Sequence, residues 1–315
     1  MDKAEEILGL FPDFLRKRWE AVARQAAFLQ EIRLRAEKPI ILRLRQREYF
    51  LQVDGQIGER KKDACILSQK ELEAVFAHIC HYSVYAYEEE LRQGFLTVAG
   101  GHRVGVAGAA VMDKAGSILR LKHISSLNIR IAHEIKGVAD AVIPLLYQNG
   151  RLLNTMIVSP PGCGKTTLLR DIVRQVSDGN IYGSGKSVGI VDERCEIAGS
   201  YLGIPQNDIG IRSDILDSCP KAAGMMMLIR SMSPEVIAVD EIGSREDVHA
   251  LLEAARCGCT LLVTVHGSSI SEILEKPQLK PLLELREFLR FIVLGRKDGD
   301  CVVNGIYDEE YQCCG

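Results

Sequence analysis

The sequence lacks any apolar run that approaches the ~18–20 residues a membrane-spanning helix requires. It also lacks a basic excess: the formal net charge is −3, which argues against binding of nucleic acid by the surface as a whole. The first residues, "MDKAEEILGLFPDFL", are acidic and amphipathic, whereas a secretory signal begins basic and continues into an apolar segment. We therefore expect a soluble, intracellular protein.

Ten cysteines are present, but no two of them are separated by two residues, so the spacing typical of zinc sites is missing. We expect reduced thiols. The remaining composition is that of a globular protein: 47% of the 315 residues are hydrophobic and 26% are charged. This length allows about two domains of roughly 100–200 residues each.

The first half, residues 1–150, is predicted to be an α+β domain. An amphipathic helix is expected through about Leu29, followed by "EIRLRAEKPIILRLRQREYFLQV", whose alternation of apolar residues and arginines is typical of a half-exposed antiparallel sheet. "SQKELEAVFAHIC" begins with Ser68 and Glu71, a helix capping box, and "GVADAVIPLLYQNG" is expected to be a helix ending near Gly150. The arginine-rich face is either a solvated surface or a contact surface for a partner subunit, a nucleotide or nucleic acid.

The second half, residues 151–315, alternates short apolar strands with helices, which predicts a parallel sheet. Strands are expected at "LNTMIVS", "SVGIVDE", "EVIAVDE" and "TLLVTVH", and helices at "KTTLLRDIVRQV", "KAAGMMMLIRSM" and "SREDVHALLEAARCG". The last of these helices has Ser244 and Asp247 as its cap and Gly258 beyond its end. A helix or two and a final strand, "CVVNGIYDE", are expected to follow.

Two segments end like a phosphate-binding loop. The first, "SPPGCGKTT", follows a predicted strand and opens a predicted helix, which is the context such a loop requires, although Ser159 stands where the strict pattern has glycine. We expect Lys165 to reach the β- and γ-phosphates of ATP, and Thr166 to bind Mg²⁺. The predicted nucleotide-binding residues are Ser159, Pro160, Pro161, Gly162, Cys163, Gly164, Lys165, Thr166 and Thr167.

The second segment, "YGSGKS", precedes a predicted strand instead of following one, and the first glycine of the pattern would fall on Asn180. A phosphate-binding loop needs a strand to deliver the chain and a helix to begin directly after it. We interpret this segment as a glycine turn between a helix and a strand, with Lys186 in solvent.

Polar residues close three of the predicted strands. Asp240 and Glu241 end "EVIAVDE"; the aspartate is expected to support Mg²⁺ and the glutamate to orient and deprotonate the attacking water. Glu193 and His266 end two further strands, and the carboxyl ends of parallel strands lie along one edge of a sheet, so these residues are expected near the γ-phosphate. The sequence therefore predicts an α/β fold with a RecA-like P-loop ATPase domain of the catalytic-glutamate branch, preceded by a smaller α+β domain.

Four segments occur in the same order as in the traffic ATPases of type II and type IV secretion and of pilus systems. They are the loop, the acidic box "VDERCEIA", "RSMSPEVIAVDEIG" and the histidine box "VTVHGSS". The second half of the chain resembles these ATPases, with Gly243 where they usually carry an arginine. Over nearly its whole length the chain is similar to the stage III sporulation protein AA family, in "SVYAYEEELRQGFLTVAGGHRVGVAG", "SLNIRIA" and "GMMMLIRSMSPEVIAVDEIG".

This resemblance implies a cytoplasmic ATPase of endospore formers. It would act on the mother-cell side of the channel apparatus that joins mother cell and forespore, as a homohexamer with a polytopic membrane protein as partner. In secretion ATPases arginines of the N-terminal domain reach the nucleotide, and the matching residues here are Arg103 and Arg130. Each of these two arginines is either an arginine finger or a surface arginine of an edge strand.

Two functions remain open at this stage. The first is a motor ATPase that powers assembly or transport at a membrane complex. The second is a nucleic-acid-handling ATPase that uses the arginine-rich sheet as a groove. Few aromatic residues lie among those arginines, whereas single-stranded nucleic acid is commonly bound by stacking on aromatic rings, so the motor is favoured.

Overall fold

The computed structural model describes residues 2–92, 94–114, 116–297 and 300–315, with the side chain of Glu89 left aside. The chain divides into two compact units, Met1–His133 and Glu134–Gly315. None of the helices in the described ranges is both long and apolar enough to span a bilayer.

The division between the units falls before the boundary that was expected at Gly150. The reason is packing, since apolar side chains on the intervening segment are buried in a core of the second unit: Ala139, Val142, Ile143 and Leu146. This segment was also expected to be an α-helix, which is wrong. It forms turns and a short 3₁₀ helix, Ile143–Leu146. Pro144 has no amide hydrogen to donate to an α-helical bond and its ring crowds the preceding turn.

The first unit contains four α-helices and nine strands among its described residues. The helices are α1 (Lys3–Gly9), α2 (Asp13–Ala23), α3 (Gln69–Ile79) and α4 (Glu88–Arg92). The strands are β1 (Leu29–Arg35), β2 (Lys38–Pro39), β3 (Ile41–Leu44), β4 (Arg47–Leu51), β5 (Ile57–Gly58), β6 (Ile66–Leu67), β7 (Phe95–Val98), β8 (His102–Met112) and β9 (Ile118–Arg130).

Seven of these strands form one antiparallel sheet in the order β5-β4-β3-β1-β9-β8-β7, and β2 pairs with β6. The predicted antiparallel sheet is thus confirmed. Ile32 and Leu42 are fully buried, whereas Arg33 and Arg43, each one residue further along the chain, are exposed. Alternate side chains of a strand point to opposite faces, so the arginines share the solvent face.

The helical prediction for this unit is partly wrong. A single helix through Leu29 was expected, but α1 ends at Gly9 and α2 begins after Pro12. Proline has a fixed φ and no amide hydrogen, so it suits the start of a helix and cannot continue one. α2 ends at Ala23, and Leu29 already belongs to β1.

The predicted capping box is present at the start of α3. The Ser68 hydroxyl accepts from the Glu71 amide at 3.3 Å, and the Glu71 carboxylate accepts from the Ser68 amide at 2.9 Å. Two amides that the helix itself cannot satisfy are thereby paired. The Glu71 carboxylate also lies 2.9 Å from the Arg18 guanidinium, which ties α3 to α2.

One histidine is enclosed in the first unit. His102, the first residue of β8, has no solvent exposure; its Nδ1 accepts from the Ala132 amide at 3.1 Å, and its Nε2 lies 3.5 Å from Glu6 Oε2. Burial lowers the pKa of His102 to about 3, and the charges of Lys3 and His133 act in the same direction. The imidazole is therefore neutral in the folded protein near neutral pH.

We expect this histidine to make the first unit acid-sensitive. The unfolded chain binds a proton near pH 6.5 and the folded one only near pH 3, so stability is fully present above about pH 6.5 and falls as pH drops toward 3. The slope from one such group is about 1.4 kcal/mol per pH unit. Denaturant unfolding followed by Trp19, the single tryptophan, which is buried in this unit, measures it.

The variant His102→Asn keeps an acceptor for the Ala132 amide but cannot titrate. Between pH 6.5 and 3 the free energy of unfolding of this variant should depend less steeply on pH than that of the parent. The difference should equal the slope contributed by one such group, whatever the absolute stability of the variant. The exposed His123→Asn serves as the control. Equal slopes for the parent and His102→Asn would contradict the assignment.

The second unit contains nine strands and five α-helices among its described residues. The strands are β10 (Tyr147–Gln148), β11 (Arg151–Leu152), β12 (Thr155–Ser159), β13 (Val188–Asp192), β14 (Ser213–Asp217), β15 (Val236–Val239), β16 (Thr260–His266), β17 (Arg290–Lys297) and β18 (Asp300–Tyr307). The helices are α5 (Lys165–Asp178), α6 (Lys221–Met232), α7 (Arg245–Arg256), α8 (Ile270–Leu274) and α9 (Lys280–Glu284).

A seven-stranded sheet in the order β14-β13-β15-β16-β12-β17-β18 organises this unit. The first six strands are parallel and β18 runs antiparallel to β17. The predicted parallel sheet is confirmed, and its strands β12, β13 and β15 are buried along their whole length. The edge strand β14 was not predicted, because Asp214 and Asp217 interrupt its apolar pattern and all five of its residues are half-buried.

Candidate active site

The segment Ser159–Thr167 connects β12 to α5 as a phosphate-binding loop does. Ser159 is the buried last residue of β12, and its carbonyl accepts from the Gly267 amide at 3.1 Å. Gly162 and Gly164 have φ values of 67° and 78°, a region that side chains with a Cβ disfavour. Gly164 is the N-cap of α5, so free amides of the helix start face the loop. An anion is stabilised at such a position.

The carboxylate of Asp240 joins the loop to two strands. Thr166, in the first turn of α5, donates its hydroxyl to Asp240 Oδ2 at 2.6 Å. Thr264 of β16 donates its hydroxyl to Asp240 Oδ1. The same Thr264 oxygen accepts from the Glu241 amide at 2.8 Å. Thr264 is fully buried and was not predicted from the sequence, because a single threonine in "TLLVTVH" resembles an ordinary strand residue.

Glu241 is held in a backbone conformation that glutamate rarely adopts. Its φ is 59°, in the left-handed region, which costs of order 1–3 kcal/mol and is found mainly at functional sites. Its Oε2 lies 3.9 Å from Lys165 Nζ and 2.8 Å from Arg194 Nη1. The glutamate side chain is therefore directed to the lysine of the loop. Arg194 is a second contact that sequence reasoning did not place.

The other predicted acid, Glu193, has a different partner. Its carboxylate forms an ion pair with Lys221 of α6. The preceding Asp192 is buried and accepts from the amides of Glu196, Ile197 and Ala198 at 2.8–2.9 Å. Burial raises the pKa of the Asp192 carboxyl, against the effect of these three amides. Asp192 thus shapes the turn after β13.

His266 lies at the end of β16 directly beside Ser159 in the strand register. Its side chain is exposed, and its carbonyl accepts from Lys276. Lys186, in contrast, lies before β13, at the amino ends of the parallel strands, and its Nζ is 2.9 Å from Glu235 Oε1. The "YGSGKS" segment begins in a turn in which the backbone of Gly183 bonds that of Asn180, two residues before the segment. The first Gly-Lys segment thus lies at the carboxyl ends of the parallel strands and the second at their amino ends.

A cavity of about 310 Å³ adjoins the loop, large enough for a nucleobase and mostly apolar in its lining. Its walls come from the segment before β10, from the loop and α5, and from β17 and β18: Ile135, Val138, Cys163, Gly164, Thr167, Leu168, Leu294, Cys301, Val302 and Val303. Two side chains of the β17–β18 hairpin also hold the loop, since Arg296 Nη2 and Cys301 Sγ lie 3.2 and 3.5 Å from the Gly162 carbonyl.

The predicted arginines Arg103 and Arg130 belong to the first unit. They face each other directly across β8 and β9, and Glu31 of β1 is the next residue in the same register. The guanidinium of Arg103 lies 3.5 Å from the centroid of the Phe95 ring. Like charges directly opposite in a sheet repel, and the acidic Glu31 beside Arg130 offsets part of this repulsion.

The residues around Asp240 also fit a magnesium ion. Mg²⁺ prefers oxygen ligands and usually keeps several waters, so a carboxylate and a hydroxyl beside a phosphate suffice. Asp240 and Thr166 present these oxygens in contact with each other. Within the described ranges no group of three or more His, Cys, Asp or Glu side chains forms a metal cage.

The chain is similar in sequence to known proteins. The sequence profile of the family described as Sporulation stage III, protein AA matches residues 1–313. The chain belongs to this family. It is 42% identical over 306 residues to the Stage III sporulation protein AA of Bacillus subtilis (strain 168), which covers 97% of this chain and 95% of that protein. It is also 30% identical over 184 residues to the uncharacterized protein ycf45 of Porphyra purpurea, across 58% of this chain and 29% of that one.

Solved structures of an ATPase and of a pilus retraction motor share the fold. The Legionella pneumophila ATPase DotB superposes with a TM-score of 0.60 at 18% identity, covering 95% of this chain and 81% of that one. The pilus retraction motor PilT with bound ADP superposes with a TM-score of 0.58 at 16% identity, covering 90% and 82%. The predicted fold, a RecA-like P-loop ATPase domain preceded by an α+β domain, is confirmed.

The two Gly-Lys segments make a direct test of the loop. If the loop binds ATP, Lys165→Ala removes the cation that is expected to face its β- and γ-phosphates, and ATP affinity should fall by about 10- to 100-fold. Lys186→Ala, the matched control, should leave affinity nearly unchanged because its partner is Glu235 at the other sheet edge. Titration with a fluorescent ATP analogue measures both. An equal loss in the two variants would contradict the choice of loop.

Proposed function

We propose that the chain is an ATP-hydrolysing motor of the secretion-ATPase type, with ATP and Mg²⁺ as its cofactors. One observation carries the proposal: Asp240 contacts the loop hydroxyl of Thr166, and the adjacent Glu241 reaches the loop lysine. A metal-supporting aspartate, a candidate base and a phosphate-binding lysine then lie within one cluster of hydrogen bonds and ion pairs. Such a cluster is suited to phosphoryl transfer, in which positioning and charge do most of the work.

The roles follow from the contacts. Residues 159–167 would hold the phosphates through loop and helix amides, and the apolar cavity beside Cys163 would take the adenine base. Thr166 and Asp240 would hold Mg²⁺, which supplies charge neutralisation between the phosphates. Glu241 would position and deprotonate the attacking water, and His266 would lie beside the start of the loop. Glu193 is the second candidate base, although its carboxylate is paired with Lys221.

Glu241→Gln separates binding from hydrolysis. Glutamine keeps the shape of the side chain but cannot accept the proton of water, so ATP should bind and persist. Turnover should fall about 10²- to 10⁴-fold. Steady-state phosphate release, with Glu193→Gln as the matched control, measures the effect. Near-parental turnover in Glu241→Gln, together with a loss of turnover in Glu193→Gln, would identify Glu193 as the base instead.

We assign the finger role to the Arg103–Arg130 pair. Charge accumulates on the γ-phosphate oxygens during transfer, and an arginine finger is worth about 10³–10⁵ in rate. The second unit has its own arginines at the site, but Arg194 is paired with Glu241 and Arg296 with the Gly162 carbonyl. Arg103 and Arg130 lie directly opposite each other on β8 and β9, and an anion beside two opposed cations would be stabilised.

Alanine at Arg103 or Arg130 should therefore lower kcat by at least about 10³-fold with little change in ATP affinity. Arg24→Ala, at an exposed position directly after α2, is the control. If the arginine acts on a neighbouring subunit, mixing Arg130→Ala with Glu241→Gln should restore part of the turnover, since each supplies what the other lacks. Parental kcat in both arginine variants would remove the pair from the mechanism.

The proposed setting is a membrane complex. Membership in the sporulation stage III family supports a role in the channel between mother cell and forespore, with a polytopic membrane protein as partner. The shared fold with secretion and pilus ATPases supports a homo-oligomer, a hexameric ring, that lies in the cytoplasm on the periphery of that complex. Light scattering with and without ATP tests the ring.

A nucleic-acid-handling ATPase is the alternative function. The arginine face of the first sheet favours it, and a cavity of about 290 Å³ on that sheet is lined by Arg33 and Arg43. The same cavity is lined by Glu31 and Glu48, and Arg33 is 2.5 Å from Glu31, so the local positive charge is largely neutralised. Stimulation of ATPase activity by single-stranded DNA, lost steeply with salt, would favour this function over the motor.

A further inference from the structure

The β8–β9 hairpin extends well beyond the core of the first unit. Val106 on β8 and Ile124 on β9 are buried. From Ala107 to His123 every described residue is exposed or half-buried. The strands stay paired to their ends, where Met112 lies opposite Ile118. We call the segments Ala107–Lys114 and Gly116–His123 the hairpin end.

Three large apolar side chains are exposed together on the hairpin end. Met112, Ile118 and Leu119 are 51%, 41% and 44% exposed. Met112 and Ile118 are cross-strand partners, and Leu119 is the next residue along β9. Single exposed apolar side chains are common on proteins, whereas an adjacent group of them with a polar rim marks a binding surface.

Cations surround this apolar group. Lys114, Arg120 and Lys122 are exposed on the hairpin end. The guanidinium of Arg92, at the end of α4, donates to the Leu119 carbonyl at 3.1 Å. The single acid of the hairpin end is Asp113, whose Oδ1 accepts from the Ser117 amide at 2.9 Å within the turn.

The strand register separates the two kinds of side chain. Arg120 and Lys122 lie opposite Val111 and Ala109 on one face of the ribbon. Leu119 and Leu121 alternate with these cations along β9, and Met112 alternates with Val111 along β8, so these three apolar side chains are on the other face. The register shifts between Val111 and Met112, and the Met112–Ile118 pair closes the ribbon at its tip. The hairpin end is thus an amphipathic ribbon with an apolar tip.

We propose that the hairpin end binds the surface of an anionic lipid bilayer, with its apolar tip in the interface and its cations on the lipid phosphates. An apolar edge with Lys and Arg beside it is the arrangement of interfacial membrane-binding segments. The net charge of the first unit is opposite in sign to that of an anionic bilayer. The first 133 residues carry 21 Lys and Arg against 17 Asp and Glu, although the whole chain is acidic. This inference stands apart from the proposed ATPase activity.

Other occupants fit the hairpin end less well. A stable protein interface buries about 800 Å² on each partner, far more than three side chains at the end of a ribbon provide. Single-stranded nucleic acid needs aromatic stacking platforms, and Met112, Ile118 and Leu119 offer none. A fluid bilayer requires no shape complementarity, only apolar area and opposite charge.

Flotation of the full-length chain with vesicles tests the proposal. It should bind vesicles of phosphatidylglycerol and phosphatidylcholine, bind weakly to phosphatidylcholine alone, and lose binding as salt rises. Arg120→Ser with Lys122→Ser should lower the partition coefficient roughly 25-fold, because each cation near the surface contributes about a factor of five. Met112→Ser with Leu119→Ser should lower it at least about tenfold.

The matched controls carry the same changes elsewhere. Leu202→Ser with Ile204→Ser removes two exposed apolar side chains of the second unit. Lys17→Ser with Arg24→Ser removes two exposed cations of the first unit, one on α2 and one directly after it. Both double variants should bind like the parent. In Leu119→Trp the emission should shift to the blue on binding, whereas Leu202→Trp should not shift.

Three results would overturn the proposal. The first is no binding to the anionic vesicles, or equal binding to both vesicle types. The second is an equal loss of vesicle binding in the tip variants and in their controls, which would show that the hairpin end is not the specific lipid contact. The third is binding of a single-stranded oligonucleotide that the tip variants abolish, with vesicle binding unaffected.

Discussion

The carboxylate of Asp240 is the interaction on which the candidate site depends. It accepts hydroxyl hydrogens from Thr166 on α5 and Thr264 on β16, and Thr264 in turn accepts the Glu241 amide. Three elements of the second unit are thereby fixed at one edge of the sheet. The parallel order β15-β16-β12 makes this possible, because neighbouring parallel strands deliver their last residues to the same place. The strained backbone of Glu241 is held by the same contacts.

Much of this arrangement was predictable from the sequence. The strand–loop–helix context of Lys165 and the Asp240–Glu241 pair after an apolar strand have strong local signals, and the parallel sheet follows from the alternation of strands and helices. The antiparallel sheet of the first unit follows from the period of two around Ile32 and Leu42. These features depend on residues close together in the chain, where hydrophobic period and capping act directly.

The parts that were missed depend on contacts between distant residues. Thr264 acquires its role only because β16 lies beside β15, and Arg194 only because the turn after β13 brings it to Glu241. The segment around Pro144 resembled a helix by its apolar residues, yet its packing in the second core and the missing proline amide favour turns. β14 carries acids because it is an edge strand. Periodicity cannot supply any of these facts.

We propose that Asp240 and Thr166 support Mg²⁺ beside the loop Ser159–Thr167. The most direct measurement of this role is the affinity for ATP with Mg²⁺ and with EDTA, by calorimetry, for the parent and for Asp240→Asn. The account predicts that Mg²⁺ tightens ATP binding by the parent and that Asp240→Asn loses this gain while still binding ATP without metal. A gain in Asp240→Asn as large as in the parent would contradict it.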